Sequence, residues 1–542
     1  MDGITQVPPP VNEAVKTYAP GSPERTAIEA RLEQLAAADP IELTAAIGGE
    51  RRRPSGAAFD VTMPSDHAHV LGHCAAADRV DAQAAVEAAS RAAPGWAELS
   101  FDDRAAVFLR AADLLAGPWR DTLNAATMLG QGKTVQQAEI DAACELIDFL
   151  RFNVEFAHQI RQNQPISSPG VWNRTDYRPL DGFVYAITPF NFTAIAGNLP
   201  FAPALMGNTV LWKPSPTQQF AAHFTMDLFE AAGLPAGVIN MLPGDGIEVS
   251  EVVLTHPDLA GIHFTGSTKT FQHLWQTVGA NIGGYGTYPR LVGETGGKDF
   301  IVAHASADPD VVRTALIRGA FEYSGQKCSA ASRAYIARSV WDQMGDDLIE
   351  QTEALTIGDV RDFANFSSAV IDERAFTKHR DAFDRAKNSS DATILAGGVT
   401  DDSTGWYVRP TLIASDNPSN EIFSTEYFGP ILGIYVYEDA EFAEVLTEVD
   451  RAAAYALTGA ILADDRAVLA QATRALRHAA GNFYLNDKPT GAVVGQQPFG
   501  GSRASGTNDK AGSMWNLIRW TSPRSIKETL TPPRTHGYPH MG

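Results

Sequence analysis

The chain is 542 residues long, 44% hydrophobic and 20% charged, with a formal net charge of −21. That length implies two or three lobes, and the composition supplies ample apolar material for their cores. The acidic excess argues against nucleic acid or an anionic membrane as partner, and no apolar run reaches the length of a membrane span.

A proline-rich arm opens the chain, with neither the basic and apolar regions of a signal peptide nor the Arg/Ser-rich pattern of a transit peptide, so a cytoplasmic location is expected. The segment 22–39, "SPERTAIEARLEQLAAAD", reads as a helix capped by Ser22, with Pro23 at its first position. Amphipathic helices follow at "DAQAAVEAASRAAPGWAEL" and "FDDRAAVFLRAADLLAG". A long helix is expected over 134–160, where apolar residues recur at spacings of three and four. The Pro-, Gly- and Asn-rich stretch 161–179 reads as a β-hairpin excursion. Near 180 the rhythm changes: short buried strands at "GFVYAITP", "NTVLWKPS", "VINMLPG" and "GIHFTGS" alternate with helices. This pattern predicts an α/β fold with a doubly wound parallel sheet. "DFIVAHA", a helix over 309–325 and the strand "SRAYIARSV" begin a second lobe of the same type, with the boundary near 290.

The three cysteines, Cys74, Cys144 and Cys328, are widely spaced without a CxxC, which suggests neither a disulfide framework nor a metal site. Cys74, and Cys144 within an amphipathic helix, read as inert thiols. Cys328 lies in "FEYSGQKCSA", a polar loop between helix and strand, and is the best nucleophile candidate. A free thiol is ~10-fold or more short of full ionisation at neutral pH, so its surroundings matter. Lys327 beside it lowers its pKa, steers an acidic substrate, or points into packing. No His stands at a telling position nearby, which counts against a cysteine-protease reading. Glu294, in "GETGGKD", suits the activation of water, or else is a surface Glu before a glycine turn. Asn191, after the first strand of the α/β unit, offers an amide N–H to a developing oxyanion, or packs its loop. Neither GxGxxG nor a P-loop is present. "FTGST", 264–268, ends a strand and opens a helix. There Gly266 permits a tight turn, and Ser267 stands where either a pyrophosphate or a plain N-cap would be served. Lys213 in "WKPS" is placed to bond ribose hydroxyls or simply to be solvated.

Asn191, Lys213, "FTGST", Glu294 in "ETGGK", Cys328 in "GQKCS" and Glu426 in "EYFGP" occur in the order and spacing of the aldehyde dehydrogenase superfamily. The chain resembles that superfamily over nearly its whole length. "NEAVKTYAPGSPER", "AEIDAACELIDFLRFN", "PFNFTAIAGN" and "TGAVVGQQPFGGSRASGTNDKAG" resemble the branch that handles a semialdehyde derived from an amino acid. The resemblance implies NAD-dependent oxidation of L-glutamate γ-semialdehyde, formed from pyrroline-5-carboxylate, to L-glutamate in proline degradation. Cys328 would attack the aldehyde, the Asn191 side chain and the Cys328 backbone N–H would hold the oxyanion, and Glu294 would activate water on the thioester. For NAD, the resemblance places Lys213 and Ser215 at the adenosine ribose, Gly266 and Ser267 at the pyrophosphate, and Glu426 and Phe428 at the nicotinamide ribose and ring. Pro216 stands where many relatives carry a ribose-binding carboxylate, which bears on the choice between NAD and NADP. For the substrate, it places Ser329 and the backbone of Gly491 and Ala492 at the α-carboxylate, Glu145 at the α-ammonium, and Phe192 and Phe499 around the aliphatic chain.

The implied organisation is an NAD-binding domain (1–160 and 181–290), a catalytic domain (291–510) and a small β oligomerisation element (161–180 and 511–542). Within the last, "NLIRWT" alternates as an intersubunit strand should. A homodimer or higher homo-oligomer is implied, and a separate proline dehydrogenase partner is compatible with it. Another amino- or carboxy-aldehyde is the neighbouring alternative. A non-catalytic binding protein would be expected to have lost Cys328 or Glu294.

Overall fold

The computed structural model describes residues 5–542. Two seven-stranded sheets organise it. The first runs, in spatial order, Arg290–Glu294, Leu259–Thr265, Phe183–Ile187, Thr209–Lys213, Ile239–Met241, Ala45–Ile47 and Glu50–Arg52. Its first five strands are parallel, and the last two close one edge antiparallel. Side chains alternate between two cores: Val184, Ala186, Val210 and Trp212 enter one, while Phe183, Tyr185, Ile187 and Leu211 enter the other. Helices therefore cover both faces, which is why these strands read as nearly continuous apolar runs. From Phe183–Ile187 the chain crosses first to Thr209–Lys213 on one side and later to Leu259–Thr265 on the other. The loops at the strand ends diverge there and open a crevice.

The second sheet has the order Thr393–Ala396, Thr411–Ala414, Ile431–Tyr437, Ala331–Ala337, Asp299–Ala303, Thr458–Leu462 and Asn482–Leu485, parallel except at the Thr393–Ala396 edge. The strand Arg290–Glu294 extends the first sheet beyond the expected boundary near 290, and an isolated bridge from Glu294 to Gly506 ties it to the second lobe.

Several local expectations are corrected. The helix over 134–160 is continuous but not uniformly α: a π-helical turn, Glu139–Glu145, separates Val135–Ala138 from Leu146–Gln162. The wider turn brings Glu139 and Asp141 inward, where each meets a buried cation, and such insertions are frequent at functional sites. The helix expected over 309–325 ends at Phe321, because Tyr323 and Ser324 adopt left-handed φ values of 53° and 51°. The 161–179 stretch is not a hairpin. It holds one strand, Val171–Arg178, paired antiparallel along its length with Ser522–Thr529. "NLIRWT" is not a strand either: Met514–Ile518 is a short helix capped by Ser513, and the buried Leu517 and Trp520 are spaced by a helical three.

Candidate active site

Cys328 is carried on the connection between the helix Pro309–Phe321 and the strand Ala331–Ala337. Three successive residues there, Tyr323, Ser324 and Gly325, have positive φ. Two of them bear side chains, so the loop stores strain that its partners must hold. Ser324 N donates to Ser367 Oγ at 2.7 Å, Tyr323 Oη to Gln131 O at 2.9 Å, and Ile371 N to Gln326 Oε1 at 2.8 Å. The thiol is thus fixed by bonds to distant segments rather than by regular secondary structure.

Two cavities meet at this thiol. One, of about 1070 Å³, occupies the crevice at the ends of the parallel strands. Lys213, Ser215, Gly266, Ser267, Glu426, Phe428 and Asn191 all line it, as does Cys328. Ser267 caps the helix Thr268–Ala280, accepting from Thr270 N at 3.1 Å. Lys213 is buried, its Nζ donates to Gly244 O at 3.3 Å, and burial pulls its pKa down to about 8 against the pull of Asp245. Gly246, at φ +81°, makes room for it, since a Cβ there would stand 2.3 Å from Lys213 Cδ. Glu426 Oε1 accepts from Gly297 N at 2.9 Å, and burial raises its pKa. Phe428, at φ 56°, stands edge-on to Phe190 with ring centres 5.8 Å apart. A crevice of this volume, lined by apolar side chains (Ile247, Leu254, Leu274) together with groups able to bond hydroxyls, suits a dinucleotide.

The other cavity, of about 740 Å³, is lined by Glu145, Phe192, Ser329, Gly491, Ala492, Phe499 and again Cys328. Among the described residues, Cys328 is the one shared by both linings. Ionisable groups of both kinds line this space, Glu13, Glu145, Asp148, Glu322 and Asp362 with Arg318, Lys327 and Lys488, and burial with the charge of Asp141 raises the Glu145 pKa well above the carboxylate range. Ser329 Oγ lies 2.8 Å from Thr490 Oγ1. Lys327 Nζ donates to Glu322 Oε2 at 3.0 Å, so its charge already has a partner.

Of the sequence-derived site residues, Glu294 alone lines neither cavity. Its Oε2 accepts from Gly501 N at 3.1 Å. Burial raises its pKa well above the carboxylate range, against the Gly501 N–H and Lys510. Burial, then the charges of Asp299, Glu294, Glu426 and Glu145, push the Cys328 thiol upward, so it is held protonated near neutrality.

Asn191 and Phe192 are consecutive on extended backbone (Phe192 φ −136°, ψ 117°), so one faces the crevice and the other the second cavity. Asn191 Nδ2 donates to Gln326 O at 3.0 Å, which ties it to the Cys328 loop. A buried clamp that sequence reading did not find holds this dipeptide. Asp141 accepts from Thr193 N at 3.0 Å and Ala194 N at 2.9 Å, and pairs with Lys133 Nζ at 2.7 Å. That Nζ also stands 3.8 Å over the Phe192 ring. No local pattern marks Lys133 or Asp141, because their meaning lies in partners from other segments.

A thiol set between a crevice that suits a dinucleotide and a pocket lined by groups of both charges is the arrangement of an oxidoreductase that brings a cofactor and a substrate together. The aldehyde dehydrogenase family matches residues 52–526, and the chain belongs to that family. Among solved structures, the Delta-pyrroline-5-carboxylate dehydrogenase from Mycobacterium tuberculosis bound with NAD is 63% identical, with 100% of both chains covered and a TM-score of 0.97. The mitochondrial delta-1-pyrroline-5-carboxylate dehydrogenase of Bos taurus is 49% identical over 98% of this chain and 94% of its own. Proline utilization A from Bdellovibrio bacteriovorus is 28% identical with a TM-score of 0.90, the match covering 96% of this chain and 53% of that one.

Proposed function

We propose that this protein is an NAD-dependent L-glutamate γ-semialdehyde dehydrogenase, which converts the open form of pyrroline-5-carboxylate to L-glutamate. The observation that carries this reading is the position of Cys328, the single residue facing both cavities. The relatives' names supply the substrate, and the mixed charge of the second cavity suits a zwitterionic head group.

Cys328 Sγ, its proton released to solvent, attacks the aldehyde carbon. The carbonyl oxygen, now carrying the electron pair, is held by Asn191 Nδ2 and the Cys328 N–H; each such donor is worth ~3 kcal/mol in the transition state. As the oxyanion re-forms the carbonyl, the adduct carbon would lose its hydride to a bound nicotinamide, leaving the thioester. Lys213 and Ser215 hold the adenosine ribose, Gly266 and Ser267 the pyrophosphate, and Glu426 with Phe428 the nicotinamide end. Glu294, raised in pKa by burial, is matched to take a proton from the water that cleaves the thioester. The Cys328 sulfur then leaves and recovers its proton. Ser329 with the Gly491 and Ala492 backbone receives the α-carboxylate, Glu145 the α-ammonium, and Phe192 and Phe499 the chain between.

The same reading assigns NAD binding to 1–160 with 181–290, catalysis to 291–510, and assembly to 161–180 with 511–542. Pairing of Val171–Arg178 with Ser522–Thr529 leaves a two-stranded ribbon with free edges and an exposed Trp172, which supports a homo-oligomer. A separate proline dehydrogenase is a candidate partner, a reading supported by the match to 53% of the longer proline utilization A. Three unpaired cysteines support a reducing compartment, the cytoplasm. The test is reduction of NAD and NADP by purified protein across a panel of aldehydes, with Cys328→Ala as control. Strong turnover of pyrroline-5-carboxylate with NAD, abolished in the variant, is expected. Turnover of another aldehyde without pyrroline-5-carboxylate oxidation overturns the assignment.

A further inference from the structure

The N-terminal arm takes no part in the chemistry above, yet Asn12, Glu13 and Val15 wall the cavity assigned to the substrate. The carboxamide of Asn12 stands at a three-way junction. Its Nδ2 donates to Asp148 Oδ2 at 2.8 Å and to Val494 O at 2.8 Å, and its Oδ1 accepts from Gln496 Nε2 at 3.0 Å. Glu13 N donates to the other oxygen of Asp148 at 2.7 Å. Asp148 follows Glu145 by one helical turn, and both face the cavity. Val494 and Gln496 belong to the loop that begins with Gly491 and Ala492. Among the described residues no hydrogen bond runs directly between 145–151 and 491–497, so Asn12 bridges the two walls.

The bridge is itself anchored. Arg120 Nη1 donates to Glu13 Oε1 at 2.7 Å and Nη2 to Ala14 O at 2.9 Å. Lys16 N and Tyr18 Oη donate to Glu139 at 2.8 and 2.7 Å, and Glu139 pairs with Arg120 in turn. Arg120 is 2% exposed and Glu139 fully buried, so the arm satisfies charges that water does not reach.

We propose that Asn12 is a specificity-determining positioning residue, fixing the distance between Glu145 and the 491–497 loop so that both ends of a zwitterionic α-amino-acid head are met at once. This rests on the proposed function. A head group with two fixed charges is recognised only while its two receivers keep their spacing, to within about 0.5 Å for a productive site. An aldehyde without that head does not register the spacing.

The experiment compares wild type, Asn12→Ala and Asn12→Asp, with glutamate semialdehyde and propionaldehyde as substrates and L-glutamate as competitive inhibitor. In both variants KM for the semialdehyde and the inhibition constant of L-glutamate should rise together by ~10-fold, the equivalent of about 1.4 kcal/mol. The kcat and the propionaldehyde efficiency should move less than ~3-fold. Asn12→Asp preserves volume but turns an acceptor towards Asp148 and Val494 O, so it should be no better than Asn12→Ala. A near-normal Asn12→Asp would reduce the residue to a space filler and overturn the proposal. An unchanged L-glutamate constant, or equal losses on both aldehydes, would overturn it too. A wild type active on propionaldehyde but inert to the semialdehyde would overturn the functional reading and this proposal with it.

Discussion

Replacing Lys133 with Met tests whether the buried clamp holds the Asn191–Phe192 dipeptide. The Lys133 and Asp141 side chains are 1% and 0% exposed and 2.7 Å apart. Removing one partner of such a pair typically costs ~3–5 kcal/mol, because the other charge stays buried. Asp141 retains the N–H groups of Thr193 and Ala194, which favours the lower end. The lost stacking of Nζ over Phe192 and, at 4.7 Å, over Tyr323 adds ~1 kcal/mol. We expect a loss of about 4 kcal/mol for Lys133→Met. In the double variant Lys133→Met/Asp141→Leu no buried charge is stranded, so the two single losses should exceed the double by ~2 kcal/mol. Urea unfolding followed by tryptophan fluorescence, with kcat on the same preparations, reads both effects. Because the clamp acts on the loop carrying Asn191, kcat should fall in Lys133→Met even where the protein is fully folded. A loss below ~1 kcal/mol, or strict additivity, would refute the argument.

Two further outcomes follow from charge. With its thiol pushed up by burial and by Asp299, Glu294, Glu426 and Glu145, Cys328 in the cofactor-free protein should react with iodoacetamide more slowly at pH 7 than a free cysteine, whose pKa is about 8.5. The rate should still climb above pH 9, and Glu426→Gln should shift the profile to lower pH; mass spectrometry of the labelled peptide gives the rate, and a plateau below pH 8 would contradict this. In Glu13 and Glu139, burial pushes the pKa up but bonds to Arg120 and other donors outweigh it, leaving both low. Carboxylates lowered on folding contribute stability above their unfolded value of about 4.3 and lose it as pH falls through the native value. Arg120→Met should therefore start acid unfolding at higher pH than wild type in a circular-dichroism titration, and coincident curves would count against the network.

What could be read from the sequence was whatever is local. The strands 183–187 and 209–213 announce themselves because both faces are buried, and Cys328 stands out as the one thiol in a Gly/Ser/Lys loop. The three-residue strands Ala45–Ile47 and Glu50–Arg52 leave no periodicity to detect. "NLIRWT" misleads because a five-residue helix and an alternating strand share the same apolar letters. The π-helical turn depends on Glu139 finding Arg120 and Tyr18, residues that no spacing rule connects. The arm is the extreme case. "NEAVKTYAPGSPER" served as a mark of resemblance without a role, because Asn12 acquires one only by meeting Asp148, Val494 and Gln496 in space.

The placement of Glu294 has a consequence for the order of events. A carboxylate pressed against a thiol raises the cost of forming a thiolate, and this one already contributes to pushing Cys328 upward from its place on the Gly501 N–H. Moving closer before the sulfur is acylated would deepen that penalty. Once the sulfur is a neutral thioester the electrostatic objection disappears, and water beside it needs a base. The bond to Gly501 N is a single hydrogen bond, worth ~1 kcal/mol net, so leaving it is a small cost against the gain of a positioned base. Under the proposed function, Glu294 therefore stays withdrawn during attack and turns inward only for hydrolysis. On that reading, the charge state of one sulfur separates the two half-reactions.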